Sequence, residues 1–313
     1  MEILNIIIPD RMKGHRLDSA MAEMLPDYSR SKITAWIKSG DALIHNELFK
    51  PKDKAVGSEI VLLTLNQKQN NDWVAEKIPL NVVYEDEDII IINKQYGLVT
   101  HPGAGNWTGT LANALLYYDS ALSILDRAGI VHRLDKNTSG LMVVARNEKS
   151  QKYLVEQFQD HSIDREYSAI VYGHMIAGGS VDKPLGRDPK DRVKQAVLTS
   201  GKEAITHYRA IDRFNSHTHV KAILETGRTH QIRVHLSHVG HSLVGDPMYG
   251  GRVRFPKKAS EDLKQALLNF KRHALHSKKL TLSHPISGEV MTWKAPLPDD
   301  MLELLRVLKK FDS

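Results

Sequence analysis

Four consecutive isoleucines stand between charged residues in Asp88–Lys94 (DIIIINK), and no other feature limits the fold so strongly. A short β-branched run of this kind fits a buried strand better than a helix of the same length. Similar apolar segments occur at Leu141–Ala145, at Glu166–Tyr172, where Tyr167, Ala169 and Val171 alternate onto one side, and at His219–Glu225. Helices are predicted at about Ser150–Gln159 and Thr229–Val239. Runs of strands with unevenly spaced helices predict an α+β domain on a mixed, largely antiparallel sheet, not a regular alternation of strand and crossover helix.

A chain of 313 residues is long for one compact core, so two units are expected. Near the N-terminus, Arg16–Leu25 (RLDSAMAEML) sets Leu17, Ala20, Met21, Met24 and Leu25 on one helical face. A second helix opens near Ser29 or Ser31, either a suitable N-cap, carries Ile33, Trp36 and Ile37 inward, and stops at Gly40. Ala42–Ile44 and Ile60–Leu65 read as small strands, with Asn46, Pro51 and Gly57 as turn residues between them. The polar stretch 66–78, NQKQNNDWVAEKI, lacks an apolar period and predicts a linker. The expected division is therefore 1–75 for the small unit and 79–313 for the large one.

Hydrophobic residues at 41% and charged residues at 26% argue against extensive disorder and against a membrane protein. No apolar run reaches the ~18 to 20 residues of a membrane span, and MEILNIIIPDRMKG lacks the form of a secretory signal, so a cytoplasmic chain is expected. The absence of cysteine excludes disulfides, thiolate metal sites and cysteine nucleophiles together. Net charge is +6, and residues 1–75 hold ten Lys and Arg against ten Asp and Glu, so the excess lies in 76–313. That balance suits a polyanionic partner. In the small unit Arg16, Arg30, Lys32 and Lys38 sit on or beside the helices, where they either meet phosphate or keep the surface soluble.

Chemistry concentrates in two segments. Gly129–Leu141 (GIVHRLDKNTSGL) mounts His132, Arg133 and Asp135 just before an apolar strand, although Asp135 followed by Asn137, Thr138 and Ser139 is also ordinary turn and capping chemistry. Glu225–His235 (ETGRTHQIRVH) leads into a helix with Ile232, Leu236 and Val239 on its apolar face and Arg233 beside them, where a plain surface arginine is the alternative. His230, His235, His238 and His241 raise a metal hydrolase reading, but the first three lack the i, i+4 spacing of a zincin helix and no His-Glu-x-x-His lies near. Gly103-Ala104-Gly105 is not followed by the Lys-Ser or Lys-Thr of a nucleotide loop and more simply shapes a turn. Arg252, Arg254, Lys257 and Lys258 surround Phe255 without an acid, as a grip for a nucleic-acid backbone or as a solvated loop.

His132-Arg133-Leu134-Asp135 followed by Thr138-Ser139-Gly140-Leu141 resembles the signature of the A, C and D types of ribosomal large-subunit pseudouridine synthase. ETGRTHQIRVH, Arg165-Glu166-Tyr167, Gly245-Asp246-Pro247 and Tyr249-Gly250-Gly251 match further blocks of that family, and together they cover almost all of 80–300. Residues 14–65 resemble the S4 RNA-binding module, with an RLD helix start, Ser-Arg-Ser opening the second helix, and a glycine followed by a β segment. With that module in front, HPGAG at 101–105 and HPISG at 284–288, the sequence is most similar to the D type. The C type, with other target uridines, also carries the module; Tyr84–Asp88 and the GRVRFPK loop beginning at Gly251 separate the two. A non-catalytic S4-type RNA-binding protein is the reading from another class.

The resemblance implies isomerisation of specific uridines in 23S ribosomal RNA by a monomer, with either free RNA or a precursor particle of the large subunit as substrate. The reaction cuts the bond from ribose C1′ to uracil N1, turns the base and joins C1′ to C5, with no net change in composition, so no cofactor is needed. It requires a carboxylate at the sugar, as nucleophile on C1′ or base at C2′, and the family match assigns this to Asp135. Arg233 would pair with it, Arg228 would meet phosphate or exchange roles with Arg233, and Leu134 would pack beneath. Tyr167 would lie against the uracil face, with a core tyrosine as the alternative. Arg133 would fill the place of the flipped base or simply bind phosphate. His132, Arg252, Arg254, Lys257, Arg30 and Lys32 complete the expected RNA-facing set.

Overall fold

The computed structural model describes residues 2–26, 28, 30–65, 73–103 and 105–312. Its N-terminal part contains β1 (Glu2–Ile7), α1 (Leu17–Met24), α2 (Arg30–Ser39), β2 (Ala42–Ile44) and β3 (Ile60–Leu65). The strands form an antiparallel sheet in the order β1-β3-β2. Both helices lay the expected residues on it, and Ile8, Met21, Ile33, Ile37 and Leu63 are fully enclosed. The sequence reading missed β1. Its Ile3 and Ile7 remain exposed while Ile6 is buried, so the run carries no clear apolar period and only pairing with β3 defines it. Ser31 lies inside α2 and cannot be its N-cap, and Ser29 falls outside the described residues.

The larger part runs β4 (Val82–Glu85), β5 (Ile89–Lys94), α3 (Leu111–Tyr118), β6 (Ser139–Ala145), α4 (Glu148–Gln159), β7 (Asp164–Tyr172), β8 (Gly179–Asp182), β9 (Leu185–Arg187) and β10 (Gln195–Val197). It continues with β11 (Ile205–Arg213), β12 (His217–Leu224), α5 (Gln231–His238), α6 (Glu261–Asn269), β13 (Leu275–Ser283), β14 (Val290–Lys294) and α7 (Asp299–Phe311). The main sheet has nine strands, ordered β4-β5-β6-β13-β7-β12-β11-β8, with β14 beside β13. Only the β6–β13 pairing is parallel, giving the mixed, largely antiparallel α+β architecture.

The isoleucine run explains how this sheet is covered. Ile90 and Ile92 pack on one face with α3 and α5, and Ile89 and Ile91 on the other with Leu154 of α4. In β7, Tyr167, Ala169 and Val171 share the first face, while Ile170 and Tyr172 meet α6 and α7 on the second. Each strand thus needs apolar residues at successive positions. At the β6–β13 contact the strands approach so closely that a Cβ on Gly140, at φ +114°, would lie 2.3 Å from the Ser277 carbonyl oxygen.

The second half of the expected linker is not a linker. Trp73, Ile78 and Leu80 pack against the α3 face, and Glu76 accepts the Gly109 N–H at 2.9 Å. Spaced irregularly, these apolar residues have no helical or strand period to betray their burial. Residues 66–72 lie outside the described residues.

Candidate active site

Asp135 sits in the loop entering β6, and almost every atom around it is held. Leu134 is buried beneath it, and the Leu134 carbonyl accepts the Thr100 hydroxyl at 2.7 Å. The Thr138 N–H donates to the Asp135 carbonyl at 3.0 Å, closing a turn, and the Gly97 N–H donates to the Lys136 carbonyl at 2.8 Å. Lys94, almost fully buried, donates from Nζ to the carbonyls of Gln95, Leu98 and Lys136 at 2.9, 2.9 and 3.3 Å. Burial pushes its pKa down to about 7, which the nearby Asp135 opposes. The turn chemistry read from Asn137 and Thr138 is therefore present, and it fixes the backbone while leaving the Asp135 carboxylate facing a pocket.

On the far side of the pocket, α5 brings Arg233 to that carboxylate: Nη1 donates to Asp135 Oδ2 at 3.0 Å. The same guanidinium grips Asp246 with two bonds, Nε to Oδ2 at 2.8 Å and Nη2 to Oδ1 at 3.0 Å. Asp246 Oδ1 also accepts the N–H groups of Met248 and Tyr249. Burial alone would raise the Asp246 pKa, yet Arg233 and those N–H groups hold it below the ordinary carboxylate range. For Arg233, burial works against the charge, and Asp246 followed by Asp135 outweighs it. At 5% side-chain exposure Arg233 is no surface residue. The Asp246 clamp spends two of its edges, leaving one Nη aimed at Asp135.

The remaining walls of the cavity, of about 310 Å3, come from β7, the 127–134 loop and the 227–233 turn. Tyr167 lines it from β7, and burial raises its pKa. Arg165, two residues earlier on the same face, also lines it. Arg133 stands exposed at the rim, with no hydrogen bond or ion pair among the described residues, and Arg228 is at the rim with Nε bonded to the Glu203 carbonyl at 2.9 Å. His132 borders the cavity, but its ring stacks on Phe158 and its Nε2 accepts the Val143 N–H at 3.0 Å. Burial, then the Arg165 cation, lowers its pKa to about 3, so it is a neutral strut for the loop.

Other expected RNA-facing residues lie outside this cavity. Arg252 and Lys257 are exposed, and Arg254 stacks over Tyr172 at 5.3 Å. Arg30 and Lys32 are not free cations: Arg30 donates to the buried Asp18 at 2.9 Å, and Lys32 pairs with Glu148 of α4. The four clustered histidines do not converge. His235 bonds to Thr206 and to the Lys183 carbonyl, and His241 to the Tyr172 carbonyl. His230 takes a left-handed backbone, at φ +58°, that places Nδ1 2.8 Å from the Tyr249 hydroxyl and Nε2 3.9 Å from Asp135. The sequence reading had weighed His230 only as a metal ligand, and had left Asp246 and Arg165 without roles inside matching blocks. Their signal was a charged residue inside a matched block, Asp246 directly after Gly245 and Arg165 two positions before Tyr167.

Asp86, Asp88 and His284 form the one cluster with metal-like spacing among the described residues. His284 Nδ1 accepts the N–H groups of Ile286 and Ser287, so Nε2 carries the proton and donates to Asp86 at 3.1 Å. Asp88 Oδ1 accepts from Asn147 and Ser150. These residues therefore clamp strand ends, and the HPISG segment is a turn built on His284.

A family model for "RNA pseudouridylate synthase" matches residues 88–238, from the isoleucine strand to the end of α5. "Ribosomal large subunit pseudouridine synthase D" of Escherichia coli (strain K12) is 52% identical over 307 residues, 98% of this chain and 94% of that protein. The protein of the same name in Xanthomonas campestris is 47% identical, over 97% of this chain and 92% of that one. Among solved structures, "Human RNA Pseudouridylate Synthase Domain Containing 4" aligns with a TM-score of 0.58 at 26% identity, covering 73% of this chain and 93% of that one. With such identity over nearly its whole length, the chain belongs to the RNA pseudouridylate synthase family.

Proposed function

We propose that this protein isomerises specific uridines of the large-subunit 23S ribosomal RNA, as its relatives of the D type are named for. The observation that carries the chemistry is a carboxylate, Asp135, held against a cavity by a buried arginine that Asp246 itself clamps. An ionised carboxylate fixed in this way is suited to attack C1′ or to take the C2′ proton while the C1′–N1 bond breaks. Tyr167 would bear on the uracil face and Leu134 on the underside of Asp135. Base extrusion costs a few kcal/mol, and Arg133, exposed and unpaired at the rim, is placed to fill the vacated stack.

Arg228 meets phosphate at the rim, His132 supports the loop the RNA contacts, and Arg252, Arg254 and Lys257 grip the flanking backbone. Residues 1–72 act as an S4-type RNA-binding unit with its own core, in which Arg16 and Arg30 keep half-exposed faces for RNA while Lys32 is paired with Glu148 of α4. The D type is preferred to the C type because relatives 47% and 52% identical over nearly the whole chain carry the D-type name. The enzyme works in the cytoplasm as a monomer, without a cofactor. Incubating the purified protein with unmodified 23S transcript and with large-subunit particles, followed by pseudouridine mapping, tests this. New pseudouridine at a few discrete uridines supports it, and none in either substrate refutes it.

A further inference from the structure

Arg165 is a buried cation without a counterion among the described residues. It is 5% exposed, and one bond is made by its guanidinium among the described residues, from Nη2 to the Glu225 carbonyl at 3.1 Å. Its Nε is buried with no partner among the described residues. The two carboxylates nearest the chemistry, Asp135 and Asp246, are both engaged by Arg233. Around Arg165 stand the Phe158 ring at 5.4 Å, the neutral His132 and Gly227, where a Cβ would lie 2.6 Å from Nη1. The 227–233 turn thus passes with just enough room for this side chain. An unpaired buried charge is expensive, several kcal/mol, and is tolerated where a ligand completes it.

The ligand's charge follows from the reaction. When the C1′–N1 bond breaks, its electron pair stays on uracil N1 and spreads onto O2 and O4. Asp135 takes either the C1′ centre or the C2′ proton. When C5 then joins C1′, the pair forms the new bond as the Asp135 oxygen leaves C1′ or Asp135 returns the proton to C2′, and the C5 proton is lost while N1 takes up a proton, so the composition is unchanged. Between those events the base is an anion, lodged beside Tyr167. Arg165 and Tyr167 alternate onto the same face of β7, so a base against the tyrosine lies within reach of the guanidinium. Backbone phosphate has the exposed Arg133 and the half-buried Arg228 at the mouth, whereas Arg165, 5% exposed, is in the enclosed wall.

We propose that Arg165 is a catalytic residue that bonds the carbonyl edge of the uracil and stabilises the negative charge the base carries while detached. The assignment rests on the pseudouridine synthase reading above. It makes Arg165 the counterpart of an oxyanion hole, a preorganised donor aimed at charge that exists only after bond cleavage.

The test uses a stem-loop RNA with either uridine or 5-fluorouridine at the target position, because fluorine stabilises the uracil anion and lessens its need for help. Single-turnover loss of the target nucleoside and RNA affinity are measured for the full-length protein and for its Arg165→Gln and Arg165→Lys variants. The proposal expects Arg165→Gln to be slowed roughly 100-fold on uridine and at least about tenfold less on 5-fluorouridine, with affinity unchanged. Arg165→Lys, which keeps the charge, should show the same dependence on fluorine with a smaller deficit. Equal slowing on both RNAs by both variants, or a defect confined to affinity, overturns the role and makes Arg165 a structural or phosphate-binding group. Failure of the unaltered protein on the uridine RNA refutes the underlying function instead, and its failure on 5-fluorouridine alone overturns the premise that charge on the detached base limits the rate.

Discussion

The cavity around Asp135 and the N-terminal unit both join arginine to aspartate, with opposite outcomes. In the cavity Arg233 is buried and spans Asp135 and Asp246, with 5% of its side chain exposed. In the N-terminal unit Arg16 and Arg30 converge on the buried Asp18 from outside, each about half exposed, at 48% and 52%. Hydrogen bonds from Arg16, then Arg30, lower the Asp18 pKa against burial. There the cations keep faces in water, and the acid holds the helix start. Arg233 has no such freedom. Burial fixes the one charge and exposure leaves the other accessible, which matches the catalytic part proposed for Arg233 and the RNA-facing part proposed for the N-terminal arginines.

Breaking the buried arrangement should have the largest effect. Arg233→Gln strands two carboxylates, one fully buried, and is expected to cost about 3 to 5 kcal/mol of stability in the large unit. Activity should fall by at least a hundredfold. Denaturant melts of that unit and single-turnover rates measure both, and a variant of normal stability and rate would contradict the account. Arg30→Gln, its counterpart in the N-terminal unit, should leave chemistry untouched.

Acid should sharpen the contrast. Burial holds His273 and His276 at a pKa of about 4, well below 6.5, whereas His15 and His45 in the N-terminal unit are exposed. Below pH 6.5 the unfolded chain binds protons that the folded one refuses, so stability is lost as pH falls from 6.5 towards 4. At pH 5 the loss is about 2 kcal/mol for each histidine. Melting curves at pH 7.5 and 5 should show the large unit weakening, and replacing His276 with Asn should remove part of that dependence. A melt independent of pH would contradict it.

A smaller effect is expected at the rim. Arg133→Ala should slow turnover on a structured stem-loop roughly tenfold, and little where the target uridine is already unstacked. Equal slowing on both RNAs would instead make Arg133 a backbone contact or a support for the Asp135 loop. Smallest of all, removing residues 1–72, which leaves Trp73 in its place against the α3 face, should weaken RNA binding or alter site choice and leave a folded, active remainder. Collapse of the remainder would place the boundary elsewhere, and unchanged binding and site choice would make the N-terminal unit dispensable.

What the sequence made legible was periodic or ordered. The isoleucine run, the alternation through Tyr167 and Val171, and the faces of α1 and α2 each follow a repeat imposed by backbone geometry. Asp135, Arg233 and Tyr167 were found because their blocks resemble a known family, since local spacing left a turn, a surface arginine and a core tyrosine open. β1 and the packed segment at Trp73–Leu80 were missed for want of a period. Lys94, Asp246 and His230 act through partners remote in sequence, at Lys136, Arg233 and Tyr249, and no window of sequence displays such pairs.

The proposed function requires Asp135 to carry the chemistry and not merely the turn. The most direct test is to map pseudouridines in 23S ribosomal RNA from a strain lacking this protein, complemented with either the natural sequence or Asp135→Asn at equal abundance. The natural sequence should restore pseudouridine at discrete sites, and Asp135→Asn, nearly identical in shape and still able to bind RNA, should restore none. Pseudouridine restored by Asp135→Asn would contradict the assignment.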